Sequence, residues 1–315
     1  MPEGMVRSST RGEYTWAKTG ETMVYVPFGP SVDFVMGATN GIPTTSVQEV
    51  NVQAFYIGKY EVTVSAYRKF VQATGYKTEA ERIGKVTVWD PKKLQMVETS
   101  GINWTSPGFP QSDQHPVVLV TWEDAKAYCD WAGGILPTRL EWFKAAVWDD
   151  LMQMPRVLPW LKPLKPGDPV PIPTPFKFGD PIPPDPNAKN GNFLDASFYK
   201  FNGLNVPPGL VDDGYAFTAP VGTYPQGASY YGAQDMAGNV SEWTGDQVTP
   251  SMQEAWFATF NQQMPTGYFA LGTHWGSFAW FPLIWPVRYP PNLGGWREIG
   301  LRIVIAAPLT ATIVK

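Results

Sequence analysis

The chain has 315 residues, of which 43% are hydrophobic and 17% are charged, so it can bury a sizeable core in one large domain or two ordinary ones. Its formal net charge is −4 and its Lys and Arg residues form no cluster, which excludes a basic surface for nucleic acid. The single cysteine, Cys129, excludes an intrachain disulfide and any site that needs two thiolates. No apolar run reaches the roughly 18 residues of a membrane span, and residues 1–11 lack the apolar stretch of a secretory signal.

The N-terminal part of the chain predicts β-structure after a tail at residues 1–20. Residues 23–28 and 32–36 have the composition of short strands, with residues 29–30, Gly-Pro, as the turn between them. Residues 47–57 alternate in polarity and predict one longer strand.

Three helices are predicted, each beginning at a threonine. Residues 63–74 place apolar side chains at helical spacing, between an N-cap at Thr63 and a stop at Gly75. The two later helices begin with capping boxes, in which a threonine is followed three residues later by a carboxylate. These pairs are Thr121 with Asp124, and Thr138 with Glu141.

The remaining segments predict loops and short strands. Residues 77–116 are interpreted as mostly loop, and residues 155–186, with twelve prolines, as a polyproline-like surface insertion. Short strands are predicted around Val240 and at residues 300–306. Few helices, short antiparallel strands and long loops together indicate an α+β fold.

An aromatic segment at residues 273–297 stands apart from the rest of the chain. Seven of its 25 residues are aromatic, a content typical of a hydrophobic core. Four prolines, at positions 282, 286, 290 and 291, nevertheless interrupt any long helix or strand. The segment is therefore predicted to be an apolar loop that the remainder of the chain holds in place.

Several phrases along the chain have the order of one known family. They read Phe-Val-Met-Gly at 34–37, Phe-Tyr-Ile-Gly-Lys-Tyr-Glu-Val-Thr at 55–63, His-Pro-Val-Val at 115–118, Thr-Trp-Glu-Asp-Ala at 121–125, Leu-Pro-Thr-Arg-Leu-Glu-Trp at 136–142, Asp-Gly-Tyr at 213–215, Asp-Met-Ala-Gly-Asn-Val-Ser-Glu-Trp at 235–243 and Gly-Leu-Arg at 300–302. The chain thus resembles the formylglycine-generating enzyme, or sulfatase-modifying factor, family, a large-loop variant of the C-type lectin fold. The resemblance implies one such domain at residues 21–307, followed by a tail at residues 308–315.

The resemblance also implies two calcium sites. Each combines two side-chain oxygens with two main-chain carbonyls, and oxygen ligands of this kind suit a hard cation. The alternative is that these residues only cap and shape turns, without metal. The first set is Asp235, Gly238, Val240 and Glu242, and the second is Asn192, Phe193, Asp213 and Tyr215.

The metal chemistry of the family's enzymes is not expected here. The family's oxidase binds copper through two cysteines near its C terminus, and the corresponding residues 277–288 contain none. Cys129 lies in the second predicted helix and is interpreted as a small buried hydrophobe. A second enzymatic branch has a three-histidine iron site, whereas this chain has only His115 and His274. Ser277 beside His274 lacks an orienting acid for nucleophilic catalysis. We expect a non-catalytic protein without copper or iron; the alternative is a divergent metal-dependent oxidase or oxygenase.

The frame of the aromatic segment keeps the family's pattern at Gly276, Ser277, Arg288, Arg297 and residues 300–302. The family carries mostly polar residues between these marks, and this chain carries aromatic and aliphatic ones. In keeping the family's frame residues and replacing the residues between them, the chain resembles the variable proteins of diversity-generating retroelements. These proteins display a variable ligand-binding surface on a C-type lectin fold.

This second resemblance implies that residues 273–297 bind a protein or other macromolecular ligand, because rigid aromatic side chains give contact area at low entropic cost. The alternative is that the aromatic residues form a second hydrophobic core, and Trp275, Phe278 and Trp280 are expected to point partly inward. No nucleic-acid or membrane partner is expected, and cytoplasmic, virion and surface-displayed locations stay open. The predicted ligand-binding residues are His274, Trp275, Phe278, Trp280, Phe281, Leu283, Ile284, Trp285, Tyr289, Leu293 and Trp296.

Overall fold

A computed structural model describes residues 1–39, 42–149, 154–155, 190–250, 267–277, 287–289 and 295–308; side chains are described for these except at 32–48, 148–155 and 287–289. Nearly all of the Pro-rich segment predicted at 155–186, and residues 309–315 of the predicted C-terminal tail, lie outside these ranges. In chain order the elements are β1 (Met5–Arg7), β2 (Glu13–Trp16), β3 (Glu21–Val26), β4 (Gly29–Thr39), β5 (Ile42–Val52), β6 (Phe55–Gly58), α1 (Val64–Thr74), α2 (Glu79–Ile83), β7 (Lys85–Asp90), β8 (Gln95–Ser100), α3 (Trp122–Ala132), α4 (Arg139–Val147), β9 (Trp148–Asp149), β10 (Met154–Pro155), α5 (Ala196–Phe201), β11 (Ser241–Gln247), β12 (Tyr268–Leu271), β13 (Val287–Tyr289), β14 (Ile299–Gly300) and β15 (Val304–Ala306).

An antiparallel sheet joins the two ends of the described chain in the order β1-β2-β3-β6-β15. Met5 and Trp16 are both buried, and the Trp16 indole donates a hydrogen bond to the Ala132 carbonyl. Residues 1–20, predicted as a tail, are therefore corrected: their two strands belong to the sheet, and Trp16 anchors them to α3.

The strands β4 and β5 form a long hairpin of eleven residues on each side. Gly29 and Pro30, predicted as a turn, instead open β4. The single strand predicted at residues 47–57 is wrong, because Gln53 and Ala54 divide it between β5 and β6. The two parts belong to different sheets, which an alternating pattern alone does not reveal.

The three predicted helices are confirmed with their caps. The Thr63 side chain accepts a hydrogen bond from the Ala66 amide, and Gly75 ends α1 in the left-handed conformation. Thr121 and Asp124 exchange both hydrogen bonds of a capping box at the start of α3. Such caps are local interactions, so the sequence alone reports them well.

The interval predicted as loop at residues 77–116 is corrected, because it contains α2 and the β7–β8 hairpin. Helix α2 has its own capping box, Thr78 with Glu81. The hairpin turns at Asp90, whose carboxylate accepts hydrogen bonds from the amides of Lys92 and Lys93.

A second sheet has the order β13-β12-β11-β14 and includes one parallel pair, β11 with β14. The strand predicted around Val240 corresponds to β11. The final strand predicted at residues 300–306 is divided by Leu301, Arg302 and Ile303, so that β14 joins this sheet and β15 joins the first. Because the chain passes between two sheets here, Leu301, Arg302 and Ile303 are all fully buried, rather than alternating between core and solvent.

The core lies between these sheets and the helices. One cluster packs Trp142 and Phe143 of α4 against Ile57, and another packs Tyr67 of α1 and Tyr128 of α3. Cys129 is 1% exposed within the second cluster, which confirms its interpretation as a small buried residue. In the described part of the chain, no helix has the length and apolar character to cross a membrane.

Candidate functional site

An ion pair between Glu242 and Arg302 lies at the centre of the fold. The Arg302 Nη2 atom is 2.6 Å from Glu242 Oε1, and the two side chains are 0% and 1% exposed. Arg302 also donates to the carbonyls of Gly58 and Gln234, both at 2.8 Å. The guanidinium group therefore joins the first sheet, the loop before β11, and β11 itself. We call Glu61, Asp235, Glu242 and Arg302 the central ion-pair network.

The two further carboxylates of this network are held near Arg302 without a direct salt bridge. Asp235 Oδ2 accepts from the Gly222 amide at 2.6 Å, and Glu61 Oε1 accepts from Asn239 Nδ2 at 3.0 Å. Burial raises the pKa of Asp235 to about 6, against the opposing effects of the Gly222 amide and the Arg302 charge. Burial and the nearby Asp235 carboxylate raise the pKa of Glu61 well above its usual value.

This geometry does not fit the calcium site expected from Asp235, Gly238, Val240 and Glu242. Glu242 Oε1 accepts two hydrogen bonds from Arg302, and Oε2 accepts from Trp142 Nε1 at 2.8 Å and from Arg302 Nε at 3.0 Å. A guanidinium group at 2.6 Å would also repel a divalent cation. We correct the expectation accordingly: Glu242 supplies the counter-ion of Arg302.

The second expected calcium set differs from the first, because one of its buried oxygens has no hydrogen-bond donor among the described residues. Asn192 is fully buried and its Nδ2 donates to the Phe217 carbonyl at 2.6 Å and to Asn239 Oδ1 at 3.1 Å. Its Oδ1 atom is also buried, yet it accepts no hydrogen bond from the residues that the structure describes. A buried oxygen without a donor is costly, and a cation would satisfy it.

Asp213 brings the two segments of this set together. Its carboxylate accepts from the amide of Phe193 at 2.8 Å and from the amide of Tyr215 at 3.0 Å. Burial and the neighbouring Asp195 carboxylate raise the pKa of Asp213 to about 8. The described residues hold no cluster of three or more His, Cys, Asp or Glu side chains suited to a metal, so a cation here would depend on amide and carbonyl oxygens, which fits calcium.

The turn formed by Thr273–Ser277 begins the aromatic segment and is tied to the framework. The Trp275 amide donates to the Asn239 carbonyl at 3.0 Å, and the Leu194 amide donates to the Ser277 carbonyl at 2.8 Å. Gly276 donates its amide proton to His274 Nδ1 at 3.1 Å. Burial lowers the pKa of His274 to about 4, so its imidazole is neutral at pH 7.

Trp275 is 5% exposed and packs in a small aromatic cluster with Phe109, Phe198 and Phe217. Its Nε1 atom donates to the Arg297 carbonyl at 3.0 Å. The side chain therefore points inward, as expected, and it links the two ends of the aromatic segment.

The segment re-enters the framework at Gly295, whose φ is +85°. A Cβ atom there would lie 2.5 Å from the carbonyl carbon of Leu119, so only glycine fits. The Leu119 amide donates to the Trp296 carbonyl at 3.0 Å. Both ends of residues 278–294 are thus attached to fixed backbone.

The other predicted ligand-binding residues are only partly covered by the structure. His274 and Trp296 are partly buried, and Tyr289 lies in β13, where it pairs with Tyr268 of β12. The remaining predicted residues lie outside the described ranges. They are Phe278, Trp280, Phe281, Leu283, Ile284, Trp285 and Leu293.

A pocket of about 340 Å³ lies beside His274 and Trp275. Its walls also come from the β7–β8 hairpin, from α5 and from the residues that follow Gly295. Sequence reasoning missed these contributions, because four distant segments form the pocket and the hairpin was interpreted as loop. The sequence signal that could have indicated it is an apolar residue, Leu94, directly after the polar stretch Pro91-Lys92-Lys93, which the structure places at the exposed hairpin tip.

Short antiparallel strands, few helices and long loops around a shared core define this chain as a C-type lectin fold of the formylglycine-generating enzyme subtype. Residues 12–304 match the family described as "Sulfatase-modifying factor enzyme 1-like domain", and the chain belongs to that family.

Among known proteins, the chain is similar to the formylglycine-generating enzyme of Mus musculus, with 33% identity over 241 residues, or 70% of this chain. The aligned part spans 55% of the mouse protein and 51% of the Bos taurus enzyme of the same name, about half the length of each. Among solved structures, PvdO from Pseudomonas aeruginosa has a TM-score of 0.58 at 22% identity, covering 95% of this chain and 100% of PvdO. The Treponema denticola variable protein 1 has a TM-score of 0.49 at 16% identity, covering 91% of this chain and 95% of that protein.

Proposed function

We propose that this chain is a non-catalytic ligand-binding member of the family. Its framework would present residues 273–297 to a protein or other macromolecular ligand, as the variable proteins of diversity-generating retroelements do. The supporting observation is the attachment of both ends of this segment, at Thr273–Ser277 and at Gly295, to buried backbone of the framework. Attachment of both ends restricts the segment before binding, which lowers part of the entropic cost of ordering it on a ligand.

The composition between these attachments supports recognition rather than chemistry. Residues 278–294 include two tryptophans, two phenylalanines and one tyrosine, and such rigid side chains are common anchors of protein interfaces. Because Trp275 is occupied in the aromatic cluster, we assign it a supporting role. We propose Trp285 as the central anchor.

The metal ligands that an oxidase or oxygenase of this family would need are scarce in the chain. Cys129, its single cysteine, is buried in α3, and burial raises the pKa of its thiol well above the usual value, so a reactive thiolate is disfavoured. His115 is 8% exposed, and its Nδ1 atom lies 2.9 Å from Thr218 Oγ1. We therefore propose that copper and iron are not bound.

We also propose a structural calcium ion at Asn192 and Asp213, with the carbonyls of Phe193 and Tyr215. The support is the buried Asn192 Oδ1 atom without a hydrogen-bond donor and the Asp213 carboxylate that joins both segments. Such an ion would stiffen the loop that contacts Ser277 through Leu194.

The proposal is tested at the gene and at the protein. We expect a reverse-transcriptase gene near the locus and an imperfect repeat of the segment that differs at adenines. In addition, Trp285→Ala should weaken capture of the partner, with a melting temperature close to that of the wild type, because the side chain is proposed to serve binding. Absence of the repeat together with tightly bound iron or copper in the purified protein would contradict the proposal and favour a divergent enzyme.

A further inference from the structure

The residues that the structure describes around the pocket beside His274 lie outside residues 278–294. Trp89 and Leu94 come from the β7–β8 hairpin, Phe198 from α5, and Trp275 and Trp296 from the two ends of the aromatic segment. These side chains are mainly aromatic. A planar ring can pack against such walls by stacking and by edge-to-face contacts.

The tip of the β7–β8 hairpin carries a leucine, Leu94, in a backbone conformation that leucine rarely adopts. Leu94 has a φ of +53°, a left-handed conformation that glycine and asparagine adopt far more readily than leucine. It is also 51% exposed, so it gains little from burial in the core. Strained residues of this kind often serve binding sites, and Leu94 lines the pocket.

Two polar groups line the same pocket, His274 and Glu298. Because His274 Nδ1 accepts the Gly276 amide proton, the neutral imidazole carries its own proton on Nε2, which makes Nε2 a donor. The Glu298 carboxyl group supplies acceptor oxygens. A ligand hydroxyl group has the chemistry to accept from the imidazole and to donate to the carboxyl group, whereas a purely apolar ring can do neither.

The size of the pocket limits what it can hold. Its volume of about 340 Å³ is near the lower end of the roughly 300–1,000 Å³ typical of small-molecule sites. One ring, or two fused rings, is therefore the appropriate size.

We infer that this pocket binds a single hydroxyaromatic group of the phenol type, packed on Trp89, Leu94 and Trp275 and hydrogen-bonded to His274 and Glu298. The inference goes beyond the proposed function, because the lining residues that the structure describes lie outside residues 278–294. A phenol group can come from a free small molecule or from a tyrosine side chain of a partner protein.

The test uses p-cresol as the free phenol, toluene as the same ring without the hydroxyl group, and N-acetyl-tyrosinamide as the peptide-borne phenol, each titrated into the full chain by ligand-observed NMR. We expect p-cresol to bind at least fivefold more tightly than toluene. Binding of N-acetyl-tyrosinamide with equal or higher affinity than p-cresol would identify a protein side chain as the source, and binding of p-cresol alone would identify a free compound. Binding of neither phenol, or equal affinity for p-cresol and toluene, would overturn the inference.

Leu94→Gly separates binding from folding. Glycine adopts the left-handed conformation without strain, so the melting temperature should stay the same or rise. It also removes the side chain that lines the pocket, so p-cresol affinity should fall at least fivefold. Leu94→Asn should behave in the same way, because asparagine also tolerates this conformation. Met96→Ala is the matched control, since Met96 is 40% exposed on the same hairpin and does not line the pocket. Unchanged p-cresol affinity in both Leu94 variants would contradict the inference, and Trp285→Ala should leave that affinity unchanged.

Discussion

Two regions of the molecule are built from similar oxygen-rich loops but differ in whether their oxygens have partners. One is the central ion-pair network. The other, which we call the loop edge, consists of Asn192–Leu194, Asp213 and Thr273–Ser277. In the network, Arg302 is a cation supplied by the chain itself, and it occupies both oxygens of Glu242. At the loop edge, the Asn192 Oδ1 atom is buried without a donor among the described residues, and burial lowers the pKa of the partly buried His274, which is a neutral base at pH 7.

This difference in hydrogen-bond partners distinguishes an ion pair within the protein from a candidate metal site, which the family resemblance alone does not distinguish. In both regions the local sequence of carboxylates, glycines and carbonyl groups resembles a calcium-binding loop. In the network, however, the charge of Glu242 is neutralised by Arg302, which lies 60 residues further along the chain. The network therefore supplies its own cation, whereas the loop edge contains a buried oxygen without a donor among the described residues, where we propose a calcium ion.

The largest effect is expected from breaking the network. Glu242→Gln keeps the shape of the side chain and removes the charge, so the buried Arg302 guanidinium loses the carboxylate to which it is directly paired. We expect a loss of about 3–5 kcal/mol in the free energy of unfolding, measured by urea denaturation.

An exposed pair provides the control for this variant. Lys126 and Asp130 form an i,i+4 salt bridge on the surface of α3, so Asp130→Asn should change the free energy of unfolding by less than about 0.5 kcal/mol. A Glu242→Gln effect as small as that of the control would show that the buried pair does not stabilise the fold.

An intermediate effect is expected from calcium at the loop edge. Calcium in hundredfold excess over its Kd should stabilise the protein by about 2.7 kcal/mol relative to chelator, measured as a shift in thermal unfolding. Asn192→Ala should remove this difference, because it removes the oxygen that lacks a donor.

The neighbouring Asp212 serves as the control for the calcium experiment. Its carboxylate pairs with Ser197 and Lys200 at the surface, so Asp212→Asn should keep the calcium-dependent shift. Equal unfolding temperatures with calcium and with chelator in the wild type would favour turns without metal.

The smallest effect concerns His274. Burial lowers the pKa of its imidazole to about 4 in the folded state, and the unfolded value is about 6.5. The unfolded chain therefore binds more protons between these values, so this stability contribution is present above pH 6.5 and is lost as the pH falls towards 4.

His274→Asn tests this pH dependence, because an asparagine oxygen can still accept from the Gly276 amide. The ring is partly exposed to solvent, so we expect the variant to lose about 1–2 kcal/mol less stability than the wild type between pH 6.5 and 4. Parallel unfolding curves for the two proteins across this range would mean that the imidazole titrates normally. The raised pKa of Glu298 acts in both proteins and cancels in the comparison.

Local interactions explain what the sequence predicted well. The caps of α1, α3 and α4 involve residues three positions apart, and the sequence displays such pairs directly. Trp275 lies next to Gly276 and Ser277 of the family frame, and its expected inward position is confirmed. These features depend on few residues and on short distances along the chain.

Long-range pairing explains what the sequence did not predict. The division of residues 47–57 between two sheets, and of residues 300–306 likewise, depends on neighbours far away in the chain. The partner of Glu242 is Arg302, and no spacing rule connects them. Leu94 lies in the interval interpreted as mostly loop, and the turn of its hairpin carries lysines rather than a glycine.

The close approach of Gly295 to Leu119 has a consequence for how this protein can change. The backbone is attached at Ser277, at β13 and at Gly295, so the residues between these attachments can be exchanged without redesign of the flanking framework. Closing a longer or shorter insert should cost little, since doubling a loop adds only about 0.6 kcal/mol. The molecule is therefore suited to loop grafting in which every insert keeps β13 and glycine at position 295.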